Sequence, residues 1–180
     1  MTIDCPSDCA YLIASREFGS DRKEIDWSKV PFPEQRPSLN VVGDHESFFL
    51  YLSFAIGRFA SENQPLVDSD AQTSIQALAE AYRTLSSGIY FERPPQYPVQ
   101  RELYDRMKEA IEEFKKEESR GATISGIRDS GIRDVLILMA QLAVIRSNGR
   151  PKGRALLDFL RSQFPREQFS KPSSRTIVLP

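Results

Sequence analysis

Residues 135–145 read Val-Leu-Ile-Leu-Met-Ala-Gln-Leu-Ala-Val-Ile, broken by one polar side chain, Gln141. A helix that is apolar on nearly every side has to be surrounded by other elements. The run is far shorter than the roughly 20 residues that cross a bilayer. It therefore demands neighbouring helices rather than lipid, and no membrane is expected among the partners. Burial would leave the Gln141 amide in need of hydrogen bonds, supplied by a side chain, by backbone or by a ligand pocket.

The neighbours are legible as apolar stripes at helical spacing. Phe48, Phe49, Tyr51, Leu52, Ala55, Ile56 and Phe59, widened by Leu50 and Phe54, form one, with Asp44 as the expected N-cap. Ala71, Ile75, Leu78, Tyr82 and Leu85 form a second, capped by Ser69 or Asp70 and stopped by Gly88. Val99, Leu103, Met107, Ala110, Ile111 and Phe114 form a third, with Pro98 in its first turn. The tandem Gly126-Ile-Arg-Asp129 and Gly131-Ile-Arg-Asp134 leads into the central helix, capped by Asp129 or Ser130 and closed by Asn148-Gly149. A last helix is expected from Arg150 to Phe164, ended by Pro165.

Outside these lie a short apolar-rich segment, Asp8 to Phe18, readable as a helix closed by Gly19, and an extended proline-containing connector at 20–38 pinned by Trp27. Gly88 to Pro98 carries three prolines and reads as a long extended connection, with Tyr90, Phe91 and Tyr97 packing across the core. Strand-like stretches are limited to Leu39–Val42, Ile89–Phe91 and Ile177–Leu179. The expectation is a mainly α chain: a five- to six-helix bundle around a single core, with at most a small accessory β element. It is one domain over 1–180, with its core at about 40–165 and a polar C-terminal tail at 166–180.

Composition removes several function classes. Cys5 and Cys9 are the only cysteines and His45 the only histidine, so neither a disulfide framework nor a Cys/His zinc site is expected. No basic segment followed by an apolar one opens the chain, and a cytoplasmic location is the expectation. His45 has no sequence-defined nucleophile to serve and reads as a solvated residue in a helix first turn. No catalytic residue, metal or cofactor is called for.

Three features point towards partners. Residues 146–180 hold eight basic side chains against Asp158 and Glu167, a net of +6 that leaves −7 for the rest of the chain. Arg146, Arg150, Lys152 and Arg154 cluster there in a glycine-containing turn suited to an anion or a nucleic acid, although the phosphate-loop pattern is missing. Glu102, Asp105, Glu109, Glu112 and Glu113 line adjacent turns of one helix, and carboxylates three apart can hold Mg²⁺, but this stripe points away from the helix's apolar face. Pro94-Pro95-Gln96-Tyr97 matches the short peptide that WW modules bind, and equally a rigid lead into a helix. The sequence reading is a non-enzymatic binding protein acting through a protein partner or homo-oligomer. The alternatives are nucleic-acid binding through Arg146–Arg154 and a metal-dependent all-α hydrolase using residues 102–113.

Overall fold

The structure is a computed structural model, and it describes residues 27–35, 40–89, 91–121, 126–147 and 150–169. Six α-helices pack around one apolar core: α1 (Val41–Asp44), α2 (Glu46–Glu62), α3 (Asp68–Ser86), α4 (Pro98–Gly121), α5 (Asp129–Arg146) and α6 (Ala155–Ser162). Short 3₁₀ turns lie at Trp27–Lys29 and Arg166–Phe169. No strand occurs among the described residues.

Cross-helix contacts fix the directions of the four long helices. The Tyr51 hydroxyl donates to Glu113 at 3.3 Å and the Phe48 ring meets Phe114, whereas Phe59 and Asn63 face Pro98 and Arg101, so α2 and α4 run antiparallel. Gln100 Nε2 donates to Asp70 at 2.8 Å at the start of α3, and Lys115 lies over the Tyr82 ring near its end. Helices α3 and α4 are therefore parallel. Arg133 near the start of α5 donates to Ser86 at the end of α3, which makes that pair antiparallel. A down-up-up-down order needs one crossover, and residues 87–97 supply it.

Gly88 stops α3 with φ +81°, a left-handed conformation that only glycine adopts without strain. The chain then returns in extended form, as its prolines dictate. It is stitched down where Thr84 Oγ1 donates to the Phe91 carbonyl at 3.1 Å and where Glu92 accepts from the Tyr104 hydroxyl and Lys108 Nζ, both at 2.5 Å. Pro95 is buried. The expected aromatic packing does not occur: Phe91 is 57% and Tyr97 71% exposed, because the polar Glu92, not a ring, is the inward residue of this stretch. Tyr90 lies outside the described residues.

Leu52, Ile56, Ile75, Leu78, Leu103, Met107, Ile111, Ile132 and Leu136 form the innermost layer. The central helix α5 is less evenly enclosed than its sequence suggests, since Leu138, Leu142 and Ile145 stay half-buried. Phe54 is also half-buried and stacks outward on Phe164 and Phe169. Val41 and Val42, read as strand, instead make the helical turn α1, which drops the Val41 side chain into the core. Ile89 and Phe91 are irregular, and Ile177–Leu179 and Asp8–Phe18 lie outside the described residues.

Helix ends depart most from expectation. The N-caps are His45, Val67 and Arg128 rather than Asp44, Ser69 or Asp70, and Asp129 or Ser130. The last helix begins at Ala155, not Arg150, because residues 150–153 are taken up by a turn in which the Gly153 N–H donates to the Arg150 carbonyl at 2.9 Å. It ends at Ser162.

Candidate functional site

The segment 27–35 is a loop folded onto α5 rather than an extended strap. Gln141, the polar exception of the central helix, donates its amide to the carbonyls of Gln35 at 3.0 Å, Pro31 at 3.3 Å and Phe32 at 3.4 Å. Its two amide N–H donors are thus satisfied by backbone, shared among three carbonyls of the loop. Within it Phe32 has φ 56°, which costs a residue bearing a Cβ about 1–3 kcal/mol and persists only where surroundings hold it. Val30 is buried and anchors the loop. Trp27 does not: it is 66% exposed, contrary to its expected role as the pin.

Trp27, Val30 and Pro33 form one wall and Gln141 with Ile145 the other wall of a mainly apolar groove of about 490 Å³. The half-burial of Ile145 noted above is its opening onto this groove. Sequence reasoning found Trp27 and Gln141 but not their relation, because the groove depends on a loop bend that no residue pattern announces.

Two of the four basic residues of the turn have partners elsewhere in the fold. The Arg154 guanidinium donates to the carbonyls of Gln64 at 2.6 Å and Ala60 at 2.9 Å, closing the C-terminal end of α2. Arg146 stacks on the Phe159 ring at 4.3 Å. Arg150 and Lys152 are exposed on the turn itself. Opposite Arg154, the Asp68 carboxylate accepts the Leu156 and Leu157 N–H groups at 3.2 Å each and caps α6 from 88 and 89 residues away. Asp68 is 2% exposed and escaped sequence reasoning, since its only local signature is a first-turn acid of α3.

The acidic stripe of α4 borders an open groove of about 510 Å³ into which α2 contributes Glu62. Arginines interleave the carboxylates: Arg101 pairs with Asp105 at 3.1 Å, Arg106 with Glu109 at 3.2 Å and Arg58 with Glu62 at 3.2 Å. Glu113 takes the Tyr51 hydroxyl, whose pKa is raised by burial and by the charges of Glu113 and Glu117. No three carboxylates converge as metal ligands would among the described residues.

His45 is half-buried at the junction of α1 and α2, not solvated, and its imidazole packs against Gly131 in the first turn of α5. A polar cleft of about 540 Å³ opens beside it, lined by Asp44, Ser47, Glu118, Arg128 and Ser130 among others. Glu118 is engaged there, accepting the Ile127 N–H at 2.6 Å. Near the same end of the bundle, burial of the Lys115 ammonium lowers its pKa, but the hydrogen bond from Lys115 to Asp129 and the neighbouring Tyr82, Asp129 and Glu112 outweigh this and raise it overall.

No helix among the described residues is long and apolar enough to cross a membrane. Of the three grooves described above, the Trp27 groove is the one dominated by apolar lining among the described residues, the composition of a binding site rather than of a solvated crease. No known protein family, curated protein or solved structure matches the chain.

Proposed function

We propose that the chain is a protein-interaction module that receives an apolar segment of a partner in the groove between the 27–35 loop and α5. The observation that carries this reading is the exposed indole of Trp27 beside an apolar groove, on a loop whose strained Phe32 is held by three hydrogen bonds from Gln141. Tryptophan is the residue type most enriched where binding energy concentrates in interfaces, and a rigid loop presents it at low entropic cost. Backbone strain gathered at an exposed surface is the pattern of a functional site.

The test is photo-crosslinking in cells from benzoylphenylalanine at position 33, with position 116 on the far face of α4 as control. A discrete intermolecular adduct with an apolar segment of an identified partner, formed from 33 only and lost on Ile145→Glu, supports the reading. Equal adducts from both positions, or none from 33, overturn it.

A second reading, contact with nucleic acid, draws on the exposed Arg150 and Lys152 and on the +6 net charge of residues 146–180. Its test is fluorescence anisotropy of labelled DNA and RNA over a salt series with Arg150→Ala/Lys152→Ala. Arg154 is left intact because it holds α2. Binding that weakens steeply with salt and falls in the double variant supports it. Equal binding by the variant and the parent chain rejects it.

A further inference from the structure

We infer that the partner segment received by the groove is acidic as well as apolar, its carboxylates lying along the basic turn at the C-terminal end of α5. The inference rests on the reading of the groove as a binding surface and names the chemistry of what fills it. Charge is distributed unevenly about the groove. At one end Ile145 lines it, the exposed Arg146 follows directly, and the exposed Arg150 and Lys152 come five and seven residues after Ile145. Lys29 is exposed in the same 3₁₀ turn as Trp27. Between residues 146 and 165 five basic side chains stand against Asp158 alone. Carboxylates lie at the other end: Asp129 and Asp134 belong to the first turns of α5, and the Glu34 charge acts on Arg83, near the end of α3 that meets the start of α5.

Volume and charge together select the occupant. The groove's 490 Å³ falls within the roughly 300–1,000 Å³ of ligand pockets, so it admits a few apolar side chains. The segment that supplies them continues past Ile145 towards Arg146, Arg150 and Lys152, where glutamate or aspartate gains attraction and lysine or arginine meets repulsion. The same asymmetry fixes the direction in which the segment lies. A nucleic acid fits less well. Bases stack on successive aromatic faces, whereas Trp27 is the one ring lining the groove and Val30, Pro33 and Ile145 are aliphatic. Arg154 is also lost to any phosphate track, being held by the Gln64 and Ala60 carbonyls.

Trp27 is the single tryptophan, so the full-length chain carries its own reporter of binding. The probes are three synthetic twelve-residue peptides that share Leu, Phe and Leu in one half and carry Glu, Gln or Lys throughout the other. Each is titrated against Trp27 emission into the full-length parent chain, Arg150→Glu/Lys152→Glu and Ile145→Glu. Far-UV circular dichroism and the urea midpoint verify that every bundle is intact. The parent should bind the Glu peptide about tenfold more tightly than the Gln peptide, the size that a few exposed ion pairs supply, and the Lys peptide least. That preference should shrink as salt rises and reverse in Arg150→Glu/Lys152→Glu, while Ile145→Glu weakens all three. Equal affinity for the Glu and Gln peptides, a preference that survives Arg150→Glu/Lys152→Glu, Glu-peptide binding untouched by Ile145→Glu, or no binding of any peptide would each overturn the inference. So would a single-stranded DNA of matched charge that binds the parent more tightly than the Glu peptide does. The position-33 adduct does not depend on the sign of the partner's charge. An adduct with a neutral or basic segment ends the inference and leaves the groove reading standing, whereas loss of the adduct ends both.

Discussion

Asp68 and Arg154 show what single residues do for this fold. One is a buried carboxylate that caps α6 from the start of α3, and the other is a guanidinium that closes α2 from the N-cap of α6. Removing the carboxylate leaves two buried N–H donors unsatisfied, so Asp68→Ala should cost about 2–3 kcal/mol in urea unfolding, with Asp68→Asn intermediate. Arg154→Ala should also lower the urea midpoint, whereas Lys152→Ala leaves it unchanged. Gly131 is a second sensitive point: a Cβ there would lie 2.7 Å from His45 Nε2. Gly131→Ala should destabilise the chain, and His45→Ala should relieve most of that loss, giving a double-mutant coupling of about 0.5–3 kcal/mol. These pairings escape the sequence because each partner lies tens of residues away and nothing in the local pattern of either selects the other.

At the scale of elements, periodicity is informative and boundaries are not. The apolar spacings placed α2 to α5 because each long helix has to bury one face, and a stripe repeated over several turns is a signal independent of its neighbours. Ends were misread where a tertiary group supplies the cap: Asp68 serves α6, and Glu118 takes the Ile127 N–H just before α5. Helix α6, with eight residues, is too short to persist alone and depends on Leu156, Leu157 and Leu160 as well as on Asp68. Within α5 the burial is graded, so Leu136→Ala should cost about 2–5 kcal/mol while the half-buried Leu138→Ala and Leu142→Ala cost distinctly less, as read from denaturant midpoints. The groove is illegible for a related reason: the sequence reads Trp27 as the pin of an extended connector, whereas the loop bend held by Gln141 goes with an indole that stays exposed.

Tyr51, Tyr82 and Lys115, on three of the long helices, all shift their ionisation in one direction. Burial raises the pKa of Tyr82 above its ordinary 10.0, and burial with the nearby Glu113 and Glu117 charges raises that of Tyr51. Lys115 is raised as well, despite the opposing effect of its burial. In each case the folded chain holds its proton to higher pH than the unfolded chain. Their stabilisation is present in full below about pH 10 and is lost as pH climbs through the folded-state values. The urea midpoint should therefore fall on the alkaline side, and Tyr82→Phe should make the fall shallower. The crossover between α3 and α4 has a consequence of another kind, for redesign. Parallel neighbours oblige residues 87–97 to travel back from Ser86 to the level of Gln100 beside Asp70, about 24 Å along the helix axis. Eleven extended residues cover ~38 Å and seven only ~25 Å, with nothing to spare once the sideways step of about 9 Å between the helix axes is added to the axial distance. Deleting four residues from this strap would thus leave the chain a choice between unravelling the end of α3 and turning α4 around, so the strap's length acts as the topological specification of the bundle.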